Sequence, residues 1–111
     1  MDRINNHTDF INAIHAKNKI RLVFFSKEDN GLLVRICAPF DYGPSRRQGK
    51  IIDEGKNKYH FWDYDSDTKC HTLPKEAEEI QSLTVLSETF DPRKDFDFDI
   101  DKVKWLIPRN W

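Results

Sequence analysis

Ile20-Arg21-Leu22-Val23-Phe24-Phe25, the turn Asp29-Asn30-Gly31, and Leu32-Leu33-Val34-Arg35-Ile36-Cys37 decide the fold. Ile20, Leu22 and Phe24 alternate with Arg21, Val23 and Phe25; Leu32, Val34 and Ile36 alternate with Leu33, Arg35 and Cys37. Period 2 sends successive side chains to opposite faces of a strand. Asn30 and Gly31 tolerate the positive φ that a tight turn requires. A β-hairpin over 20–37 follows. Pro39 has no N–H for a ladder, so the second strand is expected to end near Ala38.

Working outward, Thr8 suits an N-cap and Asp9 the first turn of a helix over 8–17, with Phe10, Ile11, Ala13 and Ile14 at helical spacing and Asn18 at its end. Residues 39–57 read as a long loop, with a short strand at Ile51-Ile52 or a functional role of its own. Lys58 to Tyr64 is an aromatic strand; 65–68 a turn; Lys69 to Leu73 an antiparallel return. Pro74 suits the first position of a short helix through Glu79. Leu83 to Leu86 is a further strand. Asp95, Asp97, Asp99 and Asp101 alternate with Phe96, Phe98 and Ile100, as on an edge strand whose like charges discourage association. Val103, Trp105 and Ile107 suggest a last strand, ended by Pro108. About six short strands point to one domain, 1–111, mainly β: a small barrel or sandwich, one end plugged by the helix.

With 111 residues the chain has room for one core. Two cysteines make no disulfide scaffold, and no apolar run approaches a membrane span. The polar start, Met1 to Asn6, predicts no signal peptide and a cytoplasmic protein. The net charge of −1 divides unevenly: residues 1–58 hold 11 Lys+Arg against 7 Asp+Glu, and residues 59–111 hold 7 against 12. A basic face is therefore compatible with near-neutrality.

Catalytic and metal chemistry find little support. Cys37, His60, Cys70 and His71 lack metal-ligand spacing, and adjacent strand residues point apart. Adjacency of Cys70 and His71 supplies no nucleophile–base geometry. The four glycines form no phosphate loop, and the alternating aspartates lack the turn that makes calcium ligands converge. A non-enzymatic protein without metal or cofactor is expected. Tyr59-His60-Phe61-Trp62-Asp63-Tyr64 instead has rings on both faces, near Arg46, Arg47, Lys50, Lys56 and Lys58 in sequence. Aromatics that stack bases beside cations that meet phosphates are what single-stranded nucleic acid requires. The alternative is that the rings pack under the loop and the acidic tail.

The order of motifs resembles the WYL-domain family over about residues 8–91. Phe10 to Phe25 resembles its opening helix and strand. Arg35-Ile36-Cys37-Ala38-Pro39 resembles its Arg-x-x-x-Pro signature, and Tyr59-His60-Phe61 lies where the Trp-Tyr-Leu tripeptide would. Glu79-Ile80-Gln81-Ser82-Leu83 and Glu88-Thr89-Phe90-Asp91 resemble its closing strand. The resemblance implies a small Sm/SH3-like β-barrel with an N-terminal helix, serving as a regulatory ligand-sensing module, here stand-alone without a helix-turn-helix, and residues 92–111 form a C-terminal extension outside it. Arg35 carries over intact; Tyr59, His60 and Phe61 carry over by position. The stretch from Glu79 to Glu88 lacks the arginines usual in the family's closing strand, which argues against a phosphate grip there.

The sequence thus predicts that Arg35, Arg46, Arg47 and Lys50 meet the phosphates of a single-stranded nucleic acid or nucleotide-like ligand, with Tyr59, His60, Phe61 and Trp62 at the bases. The other reading is a protein-interaction module using the acidic segment or a sheet edge. The two combine if the acidic tail lies over the basic loop and competes with ligand.

Overall fold

The computed structural model describes residues 3–47, 50–51, 55–65 and 71–111, with Arg46, Arg47, Ile51 and His71 in backbone only. The turn expected at 66–68 and the thiol of Cys70 lie outside these residues.

Helix α1 (His7–Ala16) buries Phe10, Ala13 and Ile14 and carries Asp9 in its first turn. It starts before Thr8: Asn6 is the N-cap, and its carboxamide donates to Leu83 O (2.7 Å) instead of capping the helix. Lys17 ends the helix in the left-handed region (φ 59°), with its N–H directed to the carbonyls of Ala13 and Ile14. The chain can then enter β1 (Asn18–Ser26) at once.

β1 and β2 (Gly31–Gly43) form the expected hairpin, with Asn30 at φ 50° and Phe24 opposite Leu33. Ser26 Oγ donates to Asp29 Oδ2 (2.9 Å) and accepts from Asp29 N, closing the turn. β2 does not stop at Ala38. From Ile20↔Cys37 onward it leaves β1 and pairs with β5 (Lys58–Asp63), with Pro39 opposite Phe61 and a register shift before Asp41. At Pro39 the ladder with β1 has ended, and a strand with one neighbour at an irregularity tolerates proline.

Within the expected long loop, β3 (Arg46–Arg47) pairs with β4 (Lys50–Ile51) as a separate small hairpin. β6 (His71–Lys75) lies antiparallel to β5 and includes Pro74, opposite His60. Proline on this edge strand replaces the expected start of a helix. The helical signal is reduced to one 3-10 turn, Ala77–Glu79, closed by a reciprocal Glu76–Glu79 capping box. β7 (Ile80–Thr89) then pairs with β1. The result is one antiparallel sheet in the order β6-β5-β2-β1-β7. Among the described strands β6 and β7 remain its two edges, so the sheet is open where a closed barrel was expected.

The acidic alternation forms no strand. Asp91 caps a short α2 (Pro92–Asp95), accepting from Arg93 N and Lys94 N, with Pro92 at the first helical position. Past it, Phe96 and Ile100 turn inward and are buried, while Asp97, Asp99 and Asp101 are exposed. Residues 103–107 form no strand either. This segment makes a third layer. On one face of the sheet, α1 packs on Ile20, Leu22, Tyr59, Phe61 and Leu83. On the other, Ala38 and Trp62 lie under Phe90, Phe96 and Ile100, with Phe98, Trp105 and Trp111 packed against them. Phe96→Ala is expected to cost about 3–5 kcal/mol, because it empties a buried site. Phe25→Ala, on a ring 40% exposed, should cost well under half as much. Urea denaturation of both variants compares them.

Candidate functional site

The candidate site lies on the face of the sheet covered by the C-terminal segment, where that cover ends. Along β5, Tyr59, Phe61 and Asp63 share one face and His60 and Trp62 the other. Between β5, the end of β2 and residues 103–106 runs a groove of about 450 Å³. Phe40, Pro44, Val103 and Leu106 are among its apolar walls, and Lys58, His60, Ser45, Thr72 and the Asp41 carboxylate are its polar groups. His60 Nε2 lies 2.9 Å from Gly43 O, a pure acceptor, so this nitrogen carries the proton. Ser45 Oγ is buried and has no hydrogen-bond partner among the described residues. Gly43, at φ 150°, packs against Leu106, and a Cβ here would run directly into the leucine Cδ1. β3 follows Ser45 in the chain, which brings the backbone of Arg46 and Arg47 beside the groove.

One buried carboxylate holds the groove's C-terminal wall. Asp41 accepts from Ile107 N (2.9 Å) and Leu106 N (3.2 Å), hydrogen bonds that a neighbouring strand would otherwise provide. Arg109 Nη2 lies 3.5 Å from Asp41 Oδ1 and donates to Ile107 O. The guanidinium is almost wholly buried, 3.6 Å from the centre of the Trp105 ring and 4.7 Å from that of Trp111. Burial lowers its pKa to about 10, opposed by Asp41, so it remains charged at neutral pH. Its Nε and Nη1 are without hydrogen-bond partners among the described residues, and the two indole rings, set edge-to-face at 71°, supply cation–π contact in their place.

The structure does not assemble the residues singled out in the sequence into one site. Tyr59 and Phe61 are fully buried, edge-on to Phe10. The Tyr59 hydroxyl accepts from Ile4 N (2.9 Å) and lies 2.8 Å from His7 Nδ1. Trp62 is buried on the opposite face, against Phe96 and Phe98. These three rings have no face left for a base; the acidic tail covers the second face, in keeping with the alternative that the rings are packed rather than offered to a ligand. Arg35 lies opposite Leu22, on the α1 side of the sheet, away from His60. Its Nε is 3.4 Å from buried Asp63 Oδ2, and it borders a separate groove with Phe24, Leu73 and Lys75. Lys50 is exposed on β4.

Nor do the four aspartates line one face. Asp95 accepts from the Tyr64 hydroxyl (2.6 Å), and Asp101 makes a two-pronged pair with Arg93 (2.9 and 3.0 Å) that holds its carboxyl below the usual range. Among the described residues no three His, Cys, Asp or Glu side chains gather as metal ligands. Burial, with Asp63 alongside, pushes the Cys37 thiol well above its ordinary pKa, the opposite of an activated nucleophile. No helix of the described residues is long and apolar enough to cross a membrane.

The chain is thus a mainly β unit: an open five-stranded antiparallel sheet with a helix on one face and an irregular aromatic segment on the other. Its fold is similar to part of Proteasome accessory factor B/C (PafBC) of Arthrobacter aurescens, with TM-score 0.54 and 16% identity over 84% of this chain. The match spans 13% of that chain, so the likeness concerns one portion of a much longer protein. No family model and no curated protein matches the sequence.

Asp41→Ala leaves Arg109 buried without a counter-charge and removes the carboxylate that accepts from three main-chain N–H groups, those of Tyr42, Leu106 and Ile107. It is expected to cost about 3–5 kcal/mol in chemical denaturation. Asp41→Asn, which retains one acceptor oxygen, should cost less.

Proposed function

We propose that this protein is a WYL-like regulatory module that binds an anionic, nucleotide-like ligand or a short single-stranded nucleic acid in the groove beside β5. It acts without catalysis, and its sheet is a variant of the Sm/SH3-like type opened between β6 and β7. The motif order that resembles WYL domains supports the regulatory part of this reading, and the fold likeness to part of PafBC supports the mainly β architecture on which it rests. Support for the ligand comes from one observation: Lys58, His60 and the buried Ser45 hydroxyl converge on an apolar groove beside the Arg46–Arg47 hairpin.

The contacts differ from those expected from sequence. Phosphate would meet Lys58 and the basic hairpin, including Lys50. The base would lie against Phe40 and Pro44, with His60 and Ser45 as hydrogen-bonding groups. Tyr59, Phe61 and Trp62 shape the groove from within the two cores, and Arg35, on the opposite face, has no part in it.

Fluorescence anisotropy with labelled nucleotides and short oligonucleotides, at low and moderate salt, tests this. Binding should weaken steeply with salt. Lys58→Ala and His60→Ala should each reduce affinity several-fold, and Arg35→Ala should leave it unchanged. Failure of every probe to bind at low salt would sink the reading.

A further inference from the structure

The C-terminal segment, residues 96–111, is attached differently from the other layers. The strands are joined by main-chain ladders, and α1 rests on the sheet through its own apolar face. Among the described residues, no main-chain-to-main-chain hydrogen bond ties 97–111 to the sheet or to α1. Lys102 N reaches only Asp99 O, within the segment. Side chains supply anchors in place of a ladder. The Asp41 carboxylate accepts from Leu106 N and Ile107 N, and Trp111 Nε1 donates to Ile14 O. Phe96 and Ile100 add apolar contact in the core shared with Ala38 and Trp62.

This layer is also where buried polar groups go unanswered. Trp62 Nε1, Arg109 Nε and Arg109 Nη1 are buried without hydrogen-bond partners among the described residues, as is Ser45 Oγ at the groove. The core between α1 and the sheet has no such atom among the described residues. A buried donor without an acceptor bears its full desolvation cost, and water removes that cost on exposure. The segment therefore loses less on leaving the sheet than its buried rings alone suggest.

The same segment builds the groove. Val103 and Leu106 form part of its wall, and Leu106 rests on Gly43. Asp41 both lines the groove and holds Leu106 and Ile107. If the segment lifts, Val103 and Leu106 leave with it and Trp62 loses its cover. A ligand seated against them meets its full set of contacts in the docked state alone. A ligand shifts an equilibrium by its difference in affinity for the two states, and the effect is reciprocal.

We propose that residues 96–111 act as a strap that lifts from the sheet as one unit while sheet and helix stay folded, and that occupancy of the groove holds it down. The second half rests on the ligand reading above; the first does not. The strap converts groove occupancy into a change of surface: closed with ligand, aromatic and open without it.

Native-state hydrogen exchange of the full chain in low urea tests this. The amides of Lys102, Leu106 and Ile107 are hydrogen-bonded and span the second half of the strap. They should share one protection factor, roughly tenfold or more below that of the best-protected amides of the β1–β2 ladder. Trp111→Phe removes the donor to Ile14 O, outside the groove. It should lower protection at all three amides by roughly fivefold, the worth of one such hydrogen bond. Protection that falls off gradually toward Trp111, with the variant felt only at Ile107, is terminal fraying and overturns the proposal. Protection equal to that of the ladder overturns it too, since cover and sheet then open only together. Adenosine monophosphate and a short oligothymidylate serve as groove probes. Either one, at about a hundred times its Kd, should raise protection at the three amides about a hundredfold. A probe that binds and leaves these amides unchanged overturns the coupling, and with it the proposal. If neither probe binds, the second half falls with the ligand reading, while exchange in the free chain still decides the first.

Discussion

Strand β5 carries large buried rings on both faces, and a strand of this kind is stable only when its sheet is covered twice. Tyr59 and Phe61 demand a cover on one side and Trp62 on the other. The helix meets the first demand through its own amphipathic face. The second is met by a chain segment with almost no regular structure, which must satisfy its main-chain N–H groups elsewhere. Asp41 does this for Leu106 and Ile107, while Arg109 neutralises it between two indoles. Aromatic burial draws the segment onto the sheet, and one carboxylate fixes its position.

The groove exists because this cover ends before the sheet does. Val103 and Leu106 come from the cover, Lys58 and His60 from β5, and Pro44 and Ser45 from the turn after β2. Period 2 accounts for the separation of the expected site residues: Arg35 and His60 belong to neighbouring parts of the sequence pattern but to opposite faces. The uneven charge of the chain also acquires a structural meaning. The end of the acidic half lies against a sheet drawn from both halves, with β1 and β2 from the basic one and β5, β6 and β7 almost wholly from the acidic one, and Asp41 and Arg109 exchange the roles that their halves suggest.

The hairpin and the helix were legible because their signals are local: Asn30-Gly31 in one case, the spacing of Phe10, Ala13 and Ile14 in the other. Pro39 and Pro74 were misread because the meaning of a strand proline depends on which neighbours the strand has at that point, a non-local property. The Asp/Phe alternation was misread because period 2 also arises in an irregular segment that turns large rings inward. Asp91-Pro92 carried a helix-start signal that the alternation obscured. The exposure of the β5 rings was undecidable locally, since it depends on whether residues 96–111 return to them. For the same reason no spacing rule links Asp41 with Arg109. The one available hint was Asp41 itself, a single carboxylate between Phe40 and Tyr42.

All three tryptophans of the chain, Trp62, Trp105 and Trp111, belong to the layer between the sheet and the C-terminal segment, and Trp111 alone also touches the first core. Trp111 Nε1 donates to Ile14 O of α1, joining the two layers at the end of the chain. Intrinsic emission from this protein is therefore not an average over the molecule but a signal from one layer. Far-ultraviolet dichroism, in contrast, reports on the sheet and helix. Agreement between the two during unfolding means that the cover and the sheet melt as one cooperative unit; an earlier change in emission isolates release of the cover as a separate event.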